Sequence, residues 1–344
     1  MAEAIPFTVG ASPDMVDLSI QDMWIQTKPE GYDYYKRYTN VETGIPDYYT
    51  KDSRLSGLGE ASRILDGAAI VAESPIQGYD KQWTQVHFGK LLRITKMMWM
   101  FGIKKRDMQR VVTEVKKTCL LHRETMCADR LDQSYETTYT RSDDSGSYSI
   151  TISGGNGVAL VSDSQTREDG GTANKNEVHD GTTQNQDFAY DAVKAAHYTV
   201  SNLSPLKDAK GKPMNVNLDT FIFSKGSAAS FVAKEILGAI KSGRKPQSAE
   251  RDGSGVPEFS IVELPYITTN TGYWWAIDSS MQGGTGNMEY GLQYKESQPI
   301  QLDAQHQVYT TKEIIRFRLK EILGVLKELL NSFTPVNCGN ILTV

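Results

Sequence analysis

The sequence predicts an α+β protein, and three observations predict it. Short runs rich in Tyr, Thr, Val and Ile crowd residues 31–101, an unbroken helical pattern follows from Lys104 to about Gln133, and after Asp187 helical and strand patterns alternate. The chain has 344 residues, with 37 Lys and Arg against 42 Asp and Glu, for a net charge of −5. At about 150 residues per domain this length allows roughly two domains and a sizeable core. A content of 39% hydrophobic and 23% charged residues excludes wholesale disorder. Near-neutral charge excludes holding nucleic acid by a strong basic field.

Residues 1–30 carry Pro6, Pro13 and Pro29 with little periodicity and read as an extended arm. They have neither the basic nor the apolar region of a signal peptide. The most continuous apolar run, Met97 to Ile103, falls far short of the roughly 20 residues that cross a bilayer. The expectation is a soluble intracellular product, or one released by lysis. In 31–101 the strand candidates are Tyr34 to Thr43, Arg63 to Ser74 and Gln82 to Met100, around a polar, Gly-rich tip from Tyr49 to Ser62. Such an excursion has little core of its own and needs a packing partner elsewhere.

In the helical stretch Met108, Val111, Val112, Val115 and Cys119 recur at steps of three and four, giving about 40 Å of helix. Its charged side reads as a solvated face, with contact to a neighbouring chain as the alternative. The segment from Tyr139 to about Gln186 is polar, and its glycine clusters mark turns. Beyond it, helices are expected over Phe188 to Leu203 and Gly226 to Gly243, the second with Phe231, Val232, Ile236 and Ile240 on one face. Strands are expected over Leu218 to Ser224, Phe259 to Ile267, Gly272 to Ser280 and Val308 to Leu319. The long polar loop Lys241 to Glu258 reads as functional or mobile. Leu319, Ile322, Leu323, Leu326, Leu329, Leu330 and Phe333 form a stripe that predicts a C-terminal amphipathic helix, packed on its own subunit or on another chain.

The chain carries no GxSxG, HExxH, GxxxxGK[ST] or GxGxxG pattern. None of His87, His122, His179, His197 and His306 pairs with another at ligand spacing, so they read as structural or surface groups. Asp143-Asp144, Glu168-Asp169 and His179-Asp180 read as solvated turns. Cys119 and Cys127 sit eight residues apart on one side of the helix as buried thiols, and with Cys338 they make no disulfide scaffold. Trp274-Trp275 falls in a strand, so one ring should enter the core and the other face a partner. No catalytic residue, cofactor site or metal site is expected, and the weight shifts to binding or assembly.

The order of elements resembles the major capsid proteins of tailed bacteriophages, the Hong Kong phage-type fold shared with herpesvirus shells and encapsulins. Three stretches carry the resemblance: Tyr79 to Met100 with its Ile94-Thr95 pair; GGNGVALVSDSQ and GGTANKN within Gly154 to Asn176; and Phe188 to Asp278 with the turn KDAKGKP and the pair Trp274-Trp275. Asn156 stands where the family often has Asp, and Gln165 where it often has His.

The resemblance implies an N-terminal arm over 1–30 and an extended β-loop over 31–101. It further implies a spine helix with the first part of a peripheral domain over 102–186, and an axial domain over 187–300. A return strand and the C-terminal helix would fill 301–344. It implies a homo-oligomer of pentamers and hexamers closing an icosahedral shell around double-stranded DNA, with a separate scaffold protein and portal and no membrane. The location implied is the virion, after assembly in the host cytoplasm. Lys51, Arg54 and Arg63 are the residues expected at subunit interfaces. The alternatives are an encapsulin-type compartment holding a cargo enzyme and, from another class, an α/β hydrolase.

Overall fold

In the computed structural model, residues 31–45, 49–55, 63, 72–75, 77–88, 91–95, 105–143, 146–178, 187–203, 207, 211, 213, 216–242, 256–279, 291–309, 312–324, 327–329 and 336–338 are described, with 22, 24–27 and 29 before them. Residues 22 and 24–26 are helical while 27 and 29 are in no regular element, so the extended arm expected over 1–30 contains helix where it is described.

The helical pattern is realised as α1, Lys105–Asp132. Asp107 in its first turn and Arg130 in its last complement the helix dipole. Val112, Cys119, Cys127, Ala128 and Leu131 are buried along one side. The charged side departs from the solvated face expected of it, because Arg123, Glu124, Arg130 and Asp132 are buried as well. α1 is wedged between other elements over its second half, and those charges meet backbone and side-chain partners there.

Around α1 stand a four-stranded and a larger sheet. The first is built from β7 (Thr220–Ser224), β8 (Ser260–Leu264), β9 (Trp274–Ile277) and β13 (Val336–Cys338), in the order β13-β9-β7-β8. β7 and β8 are parallel, while β9 is antiparallel to both β7 and β13. Period-two alternation sends Phe221, Phe223, Trp274 and Ala276 into one core with α2 (Tyr190–Tyr198) and α3 (Ala228–Ser242). It sends Ile222, Val262, Leu264, Trp275 and Ile277 into a second core with Cys127, Leu131, Tyr35, Tyr38 and Tyr294.

Both tryptophans are therefore fully buried, which corrects the expectation that one faces a partner: this sheet has a core on each face. On α3 the expected apolar face is shifted. Ala233 and Ile236 are buried, whereas Phe231 is 62% exposed, because α3 turns its Ala233 and Ile236 side onto the sheet.

The larger sheet joins β1 (Asn40–Thr43), β2 (Tyr49–Leu55), β3 (Gln77–Phe88), β4 (Leu91–Thr95), β10 (Gly291–Tyr309), β11 (Lys312–Gly324) and β12 (Lys327–Leu329), along the path β1-β10-β11-β3-β2. β12 pairs with β10, and β4 with β11. Strand pairing to Gly324 and again over Lys327–Leu329 takes the place of the C-terminal amphipathic helix expected over 319–333, of which 325–326 and 330–333 lie outside the described residues. Short apolar runs suit either period, and cross-strand partners at Phe88, His87 and Val86 decide for the strand. The strand expected over Arg63 to Ser74 lies outside the described residues except at 63 and 72–74, which are not strand.

A hairpin that the polar composition of Tyr139 to Gln186 concealed, β5 (Thr138–Asp143) and β6 (Gly146–Thr151), follows α1 directly. The glycine turns were legible, since Gly157 and Gly170 have φ of 76° and 69°. α2 runs on into a π-helical turn, Thr199–Leu203.

Candidate functional site

Three sets of contacts hold the described elements to α1, all made by side chains that the helical pattern had assigned to a wet face. The Glu124 carboxylate is 1% exposed and accepts from the backbone N–H groups of Tyr34 (2.9 Å) and Tyr35 (3.2 Å). It thereby caps the 3-10 turn Tyr35–Arg37 at the entrance to β1. One residue earlier, Arg123 donates to Glu296 on β10 at 2.7 Å and to the Tyr35 hydroxyl at 3.3 Å. At the C-terminal end, Asp132 accepts from the backbone N–H groups of Thr268, Thr269 and Asn270. The indole N–H of Trp275 reaches the Ser134 hydroxyl at 3.3 Å. A cation outside α1 completes the seam: Arg141 on β5 pairs with Asp129 at 2.5 Å.

Burial sets the electrostatics here. It raises the Glu124 carboxyl to about 7 against the pull of its two backbone donors. It also raises Glu296, which Arg123 offsets in part, and Asp129, which Arg141 offsets. His122, against Phe88 at 4.3 Å between ring centres, is lowered to about 4 by burial and then by Arg141. The Cys127 thiol is pushed far up by burial, so it stays protonated and serves as a small apolar group.

A second cluster lies in the Gly-rich segment. Asn156 donates through Nδ2 to Gln165 Oε1 at 3.0 Å, and Gln165 donates through Nε2 to the carbonyls of Ala159 (2.7 Å) and Leu160 (3.3 Å). The two positions that depart from the resembled family thus touch each other. Asn174 bonds Lys207 through both side-chain atoms, and Arg167 pairs with Asp169 beside the turn at Gly211, whose φ is 80°. On β3, the Tyr79 hydroxyl reaches Thr166 and Arg167, and a Cβ at Gly155 would stand 3.1 Å from Tyr79 Cβ.

The backbone of Lys51 and Arg54 lies on β2, with Lys51 opposite Gln82 of β3 and a register shift between Ser53 and Leu55. Arg63 is exposed and lies off the strands. The structure places two of the three on one hairpin strand and does not bring Arg63 into it. Lys241 and Glu258 form an ion pair at 3.2 Å across the ends of the polar loop, whose middle lies outside the described residues, as do His179, Asp180 and Asp144.

Sequence reasoning missed Arg123, Glu124 and Asp132, and it named Gln165 only as a departure from the resembled family. The three α1 residues carried no local signal, because they belong to the charged side that the helical pattern assigns to water. Among the described residues no group of three His, Cys, Asp or Glu is placed to hold a metal ion, and no helix is long and apolar enough to cross a membrane.

No family model matches the chain, and no curated protein matches it. Among solved structures, the chain is similar to the "Cyanophage Pam1 capsid asymmetric unit" at 13% identity and a TM-score of 0.48, over 91% of this chain and 92% of that one. It is also similar to a structure titled "Mycobacterium phage Adephagia", at 12% identity and a TM-score of 0.45, over 99% and 100%. A third, "The capsid of Myoviridae Phage XM1", has 8% identity and a TM-score of 0.44 over 92% and 94%.

Proposed function

We propose that this chain is the major capsid protein of a tailed bacteriophage, a shell subunit whose work is assembly rather than catalysis. The observation that carries the reading is the reach of the larger sheet. β10 enters the second core through Leu292 and Tyr294, and its Glu296 is tied to α1. Its register with β11 then runs on from Glu296 to Tyr309, about 40 Å of strand at roughly 3.3 Å per residue. At 19 residues β10 is far longer than the usual strand of roughly 3–10. Beyond Glu296, where β1 ends, its other edge has no strand partner among the described residues. A ribbon of that kind becomes stable and safe from misassociation by lying on a neighbour. Repetition of such contacts around closed symmetry gives rings and then a shell.

In this reading the copies form pentamers and hexamers and enclose double-stranded DNA, with a scaffold protein and a portal as further partners. Assembly takes place in the host cytoplasm and the product resides in the virion. A net charge of −5 suits a wall that must not hold its genome. Lys51, Arg54 and Arg63 meet acidic surface on a neighbouring copy, and the Lys241 to Glu258 loop lies near the axis of each ring.

The test is size-exclusion chromatography with light scattering, followed by negative-stain imaging of the leading peak. Rings of five or six, tubes or shells are expected, and nucleic acid inside separates this reading from a compartment for cargo protein. A monomer of 38.3 kDa across salt conditions and with co-expressed scaffold candidates overturns it.

A further inference from the structure

β8 is the outer strand of the four-stranded sheet. Ser260 donates its N–H to the Asp219 carbonyl at 2.7 Å, and Lys225 donates to the Leu264 carbonyl at 3.0 Å, so the even-numbered residues of β8 bond towards β7. In a parallel pair the residues between them turn both backbone groups the other way. Ile261 and Glu263 therefore present two N–H and two C=O groups at the free edge, with no backbone partner among the described residues.

That edge opens into a groove of about 870 Å³. α3 walls it on one side through Leu237 and Lys241, and Tyr34 and Arg37 line it as well. Of its four cations, Lys234 is held by Glu263 at 2.7 Å and Lys241 by Glu258 at 3.2 Å. Arg37 and Lys225 have no carboxylate partner among the described residues. An edge with open backbone groups, an apolar wall and two uncommitted cations fits an added strand of opposite or no charge.

The longest open edge among the described strands belongs to β10. Beyond Glu296 it is paired with β11 alone, and Pro299 has no N–H to donate, so 300–309 is the stretch able to take a further strand. Residues 298–309 hold Asp303 and neither lysine nor arginine. Within its own chain this stretch stays away from β8. Glu296 at its root is tied to Arg123 on α1, and at roughly 3.3 Å per residue 301 and 305 stand about 17 Å and 30 Å further out along the ribbon with β11. β8 has five residues, and a strand of equal length centred on Asp303 is 301–305. Two open edges that do not meet within one chain make a head-to-tail contact between copies, and such a contact repeated about an axis closes a ring.

We propose that residues 301–305 of β10 add as a strand to the free edge of β8 in a second copy, with Asp303 drawn to Arg37 and Lys225 at the groove. This pairing rests on the shell-subunit reading and supplies one of its contacts between copies.

Hydrogen exchange on the full chain, compared between dilute monomer and assembled rings, reads the pairing at the Ile261 and Glu263 amides. Both should be open in the monomer and slowed by at least about 100-fold in the rings. R37E/K225E should raise the concentration needed for rings by about tenfold, and D303K should act in the same direction. R37E/K225E/D303K should recover both assembly and protection. Unchanged protection at Phe221 and Trp275 in each monomer shows that the sheet has stayed folded. Rings in which the Ile261 and Glu263 amides exchange fast overturn the pairing and leave assembly standing. Slow exchange already present in the monomer assigns the edge to the chain's own residues and overturns it. Slow exchange in rings that is indifferent to all the charge changes assigns the edge to another segment and overturns it too. A chain that stays monomeric at every concentration overturns the pairing and the shell reading together.

Discussion

At the scale of single residues, the polar pair Asn156 and Gln165 shows how narrow the tolerances are. Gln165 is 2% exposed, and its Nε2 serves two buried carbonyls while its Oε1 accepts from Asn156. Asn156→Asp would set two acceptors against each other and should cost about 1–3 kcal/mol, the usual scale for an unsatisfied buried group. Adding Gln165→His supplies a ring N–H that can donate to the new carboxylate, so the double variant should recover part of the loss. A double-mutant cycle in urea denaturation reads the coupling, and additive losses would show that the two side chains act apart.

Two residues apart on α1, Glu124 and His122 make opposite demands on pH. Glu124 titrates near 4.5 unfolded and about 7 folded, so the folded chain binds more protons in that interval. Its contribution is present below about 4.5 and is lost as pH rises towards 7. His122 titrates near 6.5 unfolded and about 4 folded, so its contribution is present above 6.5 and is lost as pH falls towards 4. The two offset each other through most of pH 4.5–6.5. His122→Phe should therefore unmask a stability that falls with rising pH, and Glu124→Gln one that rises. Thermal melts across this range check both, and parallel profiles for the two variants would refute the assignment.

At the scale of elements, α1 holds its position through ions rather than through its apolar stripe alone. Arg123 and Glu296 have side chains 10% and 7% exposed and tie α1 to β10. Removing one partner strands the other, so Arg123→Met should destabilise by about 3–5 kcal/mol, while Arg123→Met with Glu296→Leu should recover most of that. Denaturant midpoints of the two variants measure the difference, and equal losses would mean that the ion pair is not the connection. This seam also marks where the sequence stopped being informative. The length of α1, the strands over Leu218 to Ser224 and Trp274–Ile277 and the turn glycines follow from local periodicity and backbone chemistry, and these were legible. A charged residue on a helix looks the same whether it faces water or caps a distant segment, so Glu124 and Asp132 were not. The Leu-rich tail failed for a related reason: spacing near 3.5 suits a helix, but β10 and β3 supply cross-strand partners that a local pattern does not contain.

At the scale of the whole molecule, stability and assembly should separate. The two hydrophobic cores meet on opposite faces of the four-stranded sheet, and α1, α2, α3 and the start of β10 close them. Lys51 and Arg54 have their backbone on the hairpin strand β2, and Arg63 is exposed and lies off the strands. Changing all three to Glu reverses six units of charge on the β-loop. If this loop grips an acidic surface on the next copy, each contact recurs at every subunit, and a loss of even about 1–2 kcal/mol per contact multiplies through a ring. Such a loss lowers each association constant by about 5–30-fold. The triple variant should then melt within about 2 °C of the parent as a monomer, since side chains whose partners lie on another copy leave one subunit's stability within about 0.5 kcal/mol. It should fail to form rings or shells at concentrations where the parent does. Light scattering with matched calorimetry distinguishes the cases: intact assembly removes the β-loop from the interface, and a lowered melting point assigns these cations to the fold of the subunit itself.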